Sequence, residues 1–173
     1  MSNYPDTKKH NTLPKVLRYR AETIPTTIAL RDKDLGIWNE ITWKEYHEIV
    51  SYLALGLAKR GFKLGDVIGL IGDNKPSWLF FELAAQAAGG MSLGIYRDTL
   101  DDEVGYLIQA AKVNFAFAED QEQVDKLLTI KRAKNNKITI FYEDSRGLKE
   151  LNDPHIIDMV QLINEGKAIA AKN

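Results

Sequence analysis

The chain has 173 residues, a formal net charge of −1 at pH 7 and no cysteine, and 45% of its residues are hydrophobic. These values are typical of one globular domain or a sizeable part of a larger protein. They exclude disulfides, a thiolate nucleophile and Cys-based zinc sites, and the lack of a basic excess argues against nucleic acid as a main partner.

The amino-terminal part predicts a tail, a short helix and a β-hairpin. Residues 1–11 are polar and read as a flexible tail without the apolar stretch of a signal peptide. Thr12 is placed to cap a helix, which Pro25 must end. Residues 28–31 and 38–42 have the pattern of two strands joined by a turn.

The next segment predicts a helix over residues 43–60. Thr42 and Glu45 have the spacing of a capping box, in which each side chain binds the other residue's backbone N–H. Apolar residues then recur every three or four positions, which places them on one helical face: Trp43, Tyr46, Val50, Leu53 and Leu57. Gly61 is the expected end of this helix.

From residue 67 onward, short apolar runs alternate with helical patterns. The runs suit strands that are buried on both faces of a sheet: 67–71, 91–96, 115–118 and 138–142. The helical patterns cover 76–88, about 100–111, 121–130, and Pro154 to about Glu165, with Gly166 as the final stop. We therefore expect a doubly wound α/β domain with a mostly parallel sheet over residues 12–166. Residues 167–173 have no cap or apolar partner and read as a truncated chain end.

A turn after the first buried strand is the first candidate for ligand binding. Residues 72–74, Gly-Asp-Asn, lie at the carboxyl edge of the predicted sheet, where ligands bind in this class of fold. Neither of the glycine-rich phosphate-binding patterns, G-x-G-x-x-G and G-x-x-x-x-G-K-[ST], occurs anywhere in the chain. The turn by itself is therefore weak evidence for nucleotide binding.

A second candidate is the pattern G-x-S-x-G at residues 90–94, which in α/β-hydrolases surrounds a nucleophilic serine. It would make Ser92 a nucleophile and His155 its base. A hydrolase places the serine between a strand and a following helix, whereas here a helix precedes the pattern and a strand contains it. We therefore expect Ser92 to lie within the sheet, and the hydrolase remains a remote alternative.

The acidic and histidine residues show no metal-binding pattern. An acidic cluster could be drawn as a magnesium or calcium site, but it begins a predicted helix, where carboxylates complement the helix dipole: Asp98, Asp101, Asp102 and Glu103. The three histidines share no ligand spacing. The residues alone therefore indicate no metal site and no catalytic residue.

Several short segments follow one another in a distinctive order. They are Ile41-Thr42-Trp43, Leu64-Gly65-Asp66-Val67, Asn74-x-Pro76-x-Trp78, the helix end at Ala84–Gly90, Gly94-Ile95-Tyr96 and Phe117-Ala118-Glu119-Asp120-Gln121. Together they resemble the adenylate-forming (AMP-binding) enzymes, and in particular the long-chain acyl-CoA synthetases. The resemblance marks eight signature positions that we expect to be structural: Trp43, Gly65, Asp66, Asn74, Pro76, Trp78, Gly89 and Tyr96. The chain departs from the family at Ser77, where Glu is usual, and at Arg97-Asp98, where Pro-Thr is usual.

The resemblance implies an ATP-dependent ligase that acts in two steps. A fatty acid carboxylate attacks the α-phosphate of ATP to give an acyl-adenylate and pyrophosphate, and the thiol of coenzyme A then displaces AMP. The family's phosphate-binding loop and catalytic Lys come after the position that corresponds to Asn173. The resemblance therefore implies that this chain has no catalytic or cofactor-binding residue of its own and is inactive alone.

The resemblance to the adenylate-forming enzymes also implies the partners of this chain. ATP, Mg²⁺, coenzyme A and fatty acid belong to the full-length enzyme, and the missing carboxyl-terminal part of the polypeptide is the main partner of this chain. We expect a cytoplasmic protein, with peripheral membrane association of the full enzyme left open. Self-association through exposed apolar surface is also expected. The alternative from another class is a stand-alone flavodoxin-like binding module.

Overall fold

The computed structural model describes residues 4–134, 137–148, 151 and 153–172. Within these residues the helices are α1 (Leu13–Thr23), α2 (Trp43–Lys59), α3 (Pro76–Ala87), α4 (Asp101–Ala110), α5 (Gln121–Lys134) and α6 (Met159–Ala170). The strands are β1 (Ile28–Asp34), β2 (Ile37–Thr42), β3 (Val67–Ile71), β4 (Met91–Ile95), β5 (Phe115–Ala118), β6 (Thr139–Tyr142) and β7 (Ile156–Asp158).

The strands form two sheets. β1 and β2 form an antiparallel hairpin, as predicted, and the other five strands form a parallel sheet in the order β4-β3-β5-β6-β7. This order is that of the flavodoxin-like doubly wound sheets. The predicted α/β fold with a mostly parallel sheet is thereby confirmed.

Alternate residues of the central strands are buried on opposite faces of the parallel sheet. On β5, Phe115 and Phe117 contact the core on one face, whereas Ala116 and Ala118 contact the core on the other. We call these the front face, covered by α2, α3 and α6, and the back face, covered by α4 and α5. Burial on both faces is the physical reason that these strands read as continuous apolar runs in the sequence.

Helix α2 begins with the predicted capping box. The backbone N–H of Thr42 donates to the Glu45 carboxylate at 2.8 Å, and the backbone N–H of Glu45 donates to the Thr42 hydroxyl at 3.2 Å. The Thr42 backbone hydrogen bond holds the pKa of Glu45 below its usual range. Local sequence therefore accounts for the start of this helix.

The last helix differs from its prediction. The segment that follows Pro154 forms strand β7, and α6 begins only at Met159, where the Asp158 side chain accepts the Val160 N–H at 2.6 Å. Gly166 does not end the helix, which continues to Ala170. The strand pairs with β6 and contributes Ile157 to the front-face core, a tertiary gain that outweighs the local helix signal of Pro154.

Gly166 lies inside α6 because the helix crosses α2 at close range. A Cβ atom at Gly166 would collide with the carbonyl oxygen of Tyr52, and one at Gly56 would lie 2.6 Å from the carbonyl oxygen of Leu162. At the end of the crossing, Glu165 accepts from Nε of Arg60 at 3.0 Å. Burial opposes ionisation of Glu165, but Arg60 outweighs it, and the pKa of Glu165 is lowered. The two glycines therefore set the distance between the helices.

We predict that Gly166→Ala destabilises the protein by about 1–3 kcal/mol, because the added methyl group forces α6 away from α2. Urea unfolding measures this change in the free energy of unfolding. Helix propensity alone predicts the opposite sign, since Ala is favoured over Gly by about 1 kcal/mol in a helix. The matched control is Ala168→Gly at an exposed position of α6, where a loss of about 1 kcal/mol is expected from propensity. Stabilisation by Gly166→Ala would contradict the close crossing.

Candidate functional site

The carboxyl edge of the parallel sheet gathers the loops that follow four strands. Because parallel strands end at the same edge, residues 72–75 after β3, 96–100 after β4, 119–120 after β5 and 143–147 after β6 lie side by side. The turn 72–74, which the sequence marks as a ligand-binding candidate, is part of this edge. Ligands in open α/β sheets bind at such an edge where the chain leaves neighbouring strands in opposite directions, which here is between β3 and β5.

Glu119 occupies the crevice between β3 and β5. Its carboxylate accepts the backbone N–H of Asp73 at 2.6 Å and the Lys75 ammonium at 2.7 Å, and the residue is 7% exposed. The approach is so close that a Cβ atom at Gly72 would lie 2.7 Å from Cβ of Glu119. The protein's own ion pair therefore fills the position at which ligands bind in other sheets of this class.

A second set of contacts fixes the loop after β4. Arg97 Nη1 lies 2.6 Å from the Asp73 carboxylate, which ties this loop to the turn after β3. The Lys126 ammonium donates to the carbonyl oxygens of Arg97 at 2.6 Å and Thr99 at 3.0 Å. The hydrogen bond to Asp73 raises the pKa of the Arg97 guanidinium above its ordinary value. These contacts join the loop to the turn after β3 and to α5.

Two glutamates at this edge have opposite electrostatic surroundings. Burial disfavours the charge of Glu119, but Lys75 and the Asp73 N–H outweigh burial, so the pKa of Glu119 is lowered. Burial dominates at Glu143, whose pKa is raised even though the Ser77 hydroxyl donates to its carboxylate at 2.8 Å. Glu119 is therefore stabilised as an anion, whereas the surroundings of Glu143 make its ionisation less favourable than in an exposed carboxyl group.

Three signature residues from the sequence meet in a cleft beside this network. The cleft has a volume of about 590 Å³ and is lined by Gly72, Asp73, Asn74, Trp78, Gly94, Ile95, Tyr96, Arg97 and Asp98. Gly94 allows the Trp78 indole to approach the strand, since a Cβ atom there would lie 3.0 Å from the ring. Tyr96 is 87% exposed at the rim. Asn74, Trp78 and Tyr96 are thus brought together although they come from two different loops and a helix.

Three other signature residues lie at the opposite, amino edge of the sheet. The backbone N–H of Gly65 donates to the carbonyl oxygen of Gly89 at 3.0 Å, and the N–H of Met91 donates to that of Asp66 at 2.9 Å. Gly65 and Gly89 have φ values of +85° and +86°, which a side chain would strain. These contacts align the starts of β3 and β4.

The remaining two signature residues begin helices. Pro76 is the first residue of α3, where its missing N–H costs no hydrogen bond. Trp43 is the first residue of α2 and stacks on Tyr46 with 6.3 Å between ring centroids. The eight signature positions therefore fall into three groups, and one group of three lines the cleft at the carboxyl edge.

The structure separates the residues of the hydrolase alternative. Ser92 lies inside β4, paired with Ile68, as the sequence context predicted. His155 directly precedes β7 at the other edge of the sheet, about 19 Å away by four strand spacings. Ser92 and His155 therefore do not form a nucleophile and base.

The described residues also offer no metal site. None of their His, Asp and Glu side chains form a group of three or more that could hold a metal ion. The acidic residues of the suspected cluster lie in the first turn of α4, where they complement the helix dipole: Asp101, Asp102 and Glu103. No helix in the described part of the chain is long and apolar enough to cross a membrane.

Comparison with known proteins finds similarity over most of the chain. The profile of the AMP-binding enzyme family matches residues 17–162. The mouse (Mus musculus) long-chain-fatty-acid–CoA ligase ACSBG2 is 30% identical over 119 residues, which are 69% of this chain and 18% of that protein. The rat (Rattus norvegicus) ACSBG2 is 27% identical over 158 residues, which are 91% of this chain and 24% of that protein. The chain thus spans about a fifth to a quarter of the length of these relatives.

Solved structures show the same fold at low identity. The A-PCP didomain of a carboxylic acid reductase from Segniliparus rugosus, solved with AMP, has a TM-score of 0.75 and 16% identity over 95% of this chain and 28% of that chain. Acetoacetyl-CoA synthetase from Streptomyces lividans has a TM-score of 0.74 and 22% identity over 85% of this chain and 24% of that chain. Both likenesses concern the architecture of the domain.

Substitutions of Glu119 and Glu143 are expected to change the free energy of unfolding in different directions. We predict that Glu119→Gln destabilises the protein by about 2 kcal/mol at pH 7, because it leaves Lys75 without its charged partner. Glu143→Gln serves as the matched variant and is expected to be neutral or stabilising at pH 7, because it removes a charge that partial burial disfavours. Urea unfolding of both variants measures the two changes. A larger loss for Glu143→Gln than for Glu119→Gln would contradict the assigned surroundings.

The same pair predicts a pH dependence. Glu119 has a lowered pKa in the folded state, so its stabilising effect is present above the ordinary carboxyl pKa and is lost as the pH falls through the folded value. Glu143 has a raised pKa, so ionising it destabilises the fold as the pH rises through the ordinary carboxyl range. Unfolding curves from pH 7 down to pH 3 should therefore show the deficit of Glu119→Gln shrinking with acidification.

Proposed function

The chain belongs to the AMP-binding enzyme family, and we propose that it forms the amino-terminal α/β part of a long-chain acyl-CoA ligase. The observation that carries the proposal is the family match over residues 17–162, together with similarity to two fatty-acid–CoA ligases of which the matched segments cover only 18% and 24%. The full enzyme joins a fatty acid to coenzyme A at the expense of ATP. In this proposal the present chain supplies scaffold and one rim of the site.

The charges at the carboxyl edge support the view that this part is inactive alone. Adenylate formation builds up negative charge on phosphate oxygens, which requires free cationic groups or N–H donors. In the described part of this edge, Lys75 binds Glu119, Arg97 binds Asp73, and Lys126 binds backbone carbonyl oxygens. Arg146 is paired with Asp144. The cations of the edge are thus already engaged by the protein itself.

The described residues do not fit a site for ATP and Mg²⁺. Glu119 fills the crevice between β3 and β5, and the described residues contain no group of three or more His, Asp or Glu side chains that could hold a metal ion. ATP, Mg²⁺, coenzyme A and the fatty acid are therefore assigned to the full enzyme, and its further residues must bind them. We propose the cytoplasm as the location of the full enzyme, and peripheral membrane contact of that enzyme is the alternative.

We predict that this 173-residue chain catalyses no ATP–pyrophosphate exchange in the presence of a long-chain fatty acid, because Lys75, Arg97 and Lys126 at its carboxyl edge are already bound by the protein itself. Radiolabelled pyrophosphate incorporation into ATP measures the reaction. The matched control is the longer polypeptide read from the same gene past codon 173. This longer polypeptide is expected to catalyse ATP–pyrophosphate exchange. Turnover by the shorter chain would contradict the assignment of catalysis to further sequence.

The alternative of a stand-alone flavodoxin-like module has one observation in its favour, namely the strand order β4-β3-β5-β6-β7. The gene sequence directly after codon 173 distinguishes the ligase from the stand-alone module. A stop codon directly after codon 173 would support the module, whereas a Gly/Ser/Thr-rich loop followed by Lys shortly downstream would support the ligase.

A further inference from the structure

We propose that the tip of the β1–β2 hairpin is a membrane contact that enters the surface of a lipid bilayer. The tip consists of Leu35, Gly36, Ile37 and Trp38. This contact rests on the proposed function in one respect: a long-chain fatty acid partitions into bilayers, so a ligase that touches a bilayer meets its substrate there. The occupant of the tip is the bilayer surface. The rest of a longer polypeptide and a second copy of the chain are the competing occupants.

The turn of the hairpin holds a leucine in a backbone conformation that leucine disfavours. Asp34 pairs with Ile37 across the end of the hairpin. The two residues between them, Leu35 and Gly36, have φ values of +47° and +85°. Two positive φ values are those of a type I′ turn, whose first position favours Asn, Asp or Gly. A bulky residue at positive φ is strained, and such strain clusters at functional sites. The chemistry of the turn therefore does not account for Leu35.

The apolar side chains of the tip are exposed on both faces of the hairpin. Leu35 is 94% exposed, Ile37 is 68% exposed and Trp38 is 61% exposed. Because successive side chains of a strand point to opposite faces, Ile37 and Trp38 lie on different faces, with Leu35 at the end of the hairpin. A surface that docks on one protein partner is apolar on the side that it presents to that partner. A tip that is apolar on both faces suits insertion into a medium that surrounds it.

The charges next to the tip fit a shallow position among lipid head groups. Residues 31–34 carry two positive and two negative side chains. Arg31 pairs with Glu40 at 3.0 Å, and the Lys33 ammonium lies 5.7 Å from the centre of the Trp38 ring. Tryptophan is enriched at membrane interfaces, because its ring is apolar and its N–H is polar. The unpaired backbone edges of a two-stranded hairpin cannot enter hydrocarbon, so only the tip enters.

The hairpin places this contact beside the carboxyl edge of the parallel sheet. Asp34, directly before the turn, interacts electrostatically with Arg146 in the loop after β6. Asp32 interacts in the same way with Lys75 in the loop after β3. A bilayer bound by the tip therefore lies next to the edge that, in the proposed function, forms one rim of the active site.

Binding to lipid vesicles tests the contact. We expect the 173-residue chain to co-sediment with phosphatidylcholine vesicles equally well at low and high salt, because the charges beside the tip balance. The longer polypeptide read past codon 173 should bind as well. Binding only to anionic vesicles at low salt would show that cationic residues elsewhere bind the membrane, and would overturn the inference. No binding by the longer polypeptide would show that its further residues cover the tip, and would also overturn the inference.

Leu35→Asn separates the membrane contact from a role in folding. Asn suits the first position of a type I′ turn, so the variant should have a higher urea midpoint than the original chain. Its vesicle partition coefficient should fall about tenfold, because apolar area is lost from the tip. Leu64→Asn is the matched control at a leucine that is 87% exposed outside the hairpin, and it should leave the partition coefficient unchanged. Unchanged binding of Leu35→Asn, or equal losses in both variants, would overturn the inference.

Quenching by brominated lipids shows whether the tip itself enters the bilayer. Brominated phosphatidylcholine should quench the tryptophan fluorescence of the bound chain through Trp38. Trp38→Tyr keeps an interfacial aromatic ring, so this variant should still bind vesicles. The quenching should then largely disappear, since Trp43 and Trp78 lie outside the tip. Quenching of equal strength in Trp38→Tyr would show that another surface enters the bilayer, and would overturn the inference.

The second copy and the proposed function have separate outcomes. Dimers that Leu35→Asn abolishes, together with a lack of vesicle binding, would show that a second copy covers the tip, and would overturn the inference. Fatty-acid–CoA ligase activity of the longer polypeptide without vesicle binding would overturn the inference and leave the proposed function. Vesicle binding by both polypeptides without any ligase activity would support the membrane contact and overturn the proposed function.

Discussion

Burial of the parallel sheet on both faces is the constraint on which the rest of this structure depends. Parallel strands can be joined only by crossovers, and the crossover helices cover the two faces that the apolar strands must hide from water. On β3, Ile68 and Leu70 contact the front-face core, whereas Ile71 contacts the back-face core. Every crossover begins at the carboxyl edge, so this edge collects the loops whatever they bind.

The collected loops are stabilised by their own charges. Lys75 and the backbone of Asp73 bind Glu119 across the crevice where a ligand would otherwise lie, and Arg97 joins the turn after β3 to the loop after β4. The cleft that contains Trp78 and Tyr96 lies beside the filled crevice. This arrangement suits one part of a larger active site.

Much of the fold could be predicted from local patterns. The capping box of Thr42 and Glu45, the apolar periodicity of α2 and the alternation of strands with helices all act over a few residues, and each is confirmed. The family resemblance covers the same positions. The contacts of Glu119 could not be predicted, because the turn that it binds lies 46 residues earlier and acquires its meaning only when β3 and β5 become neighbours.

The sequence by itself determined the class of fold and the positions of most elements, since these follow from propensity, periodicity and residue type. Only the tertiary structure decided the order of the strands, the ion pairs that close the crevice and the role of Gly166. Local rules read Gly166 as the end of a helix, yet the close crossing with Tyr52 of α2 keeps it inside α6. The physical reason is that packing between distant segments contributes more free energy than the local preference of a single residue.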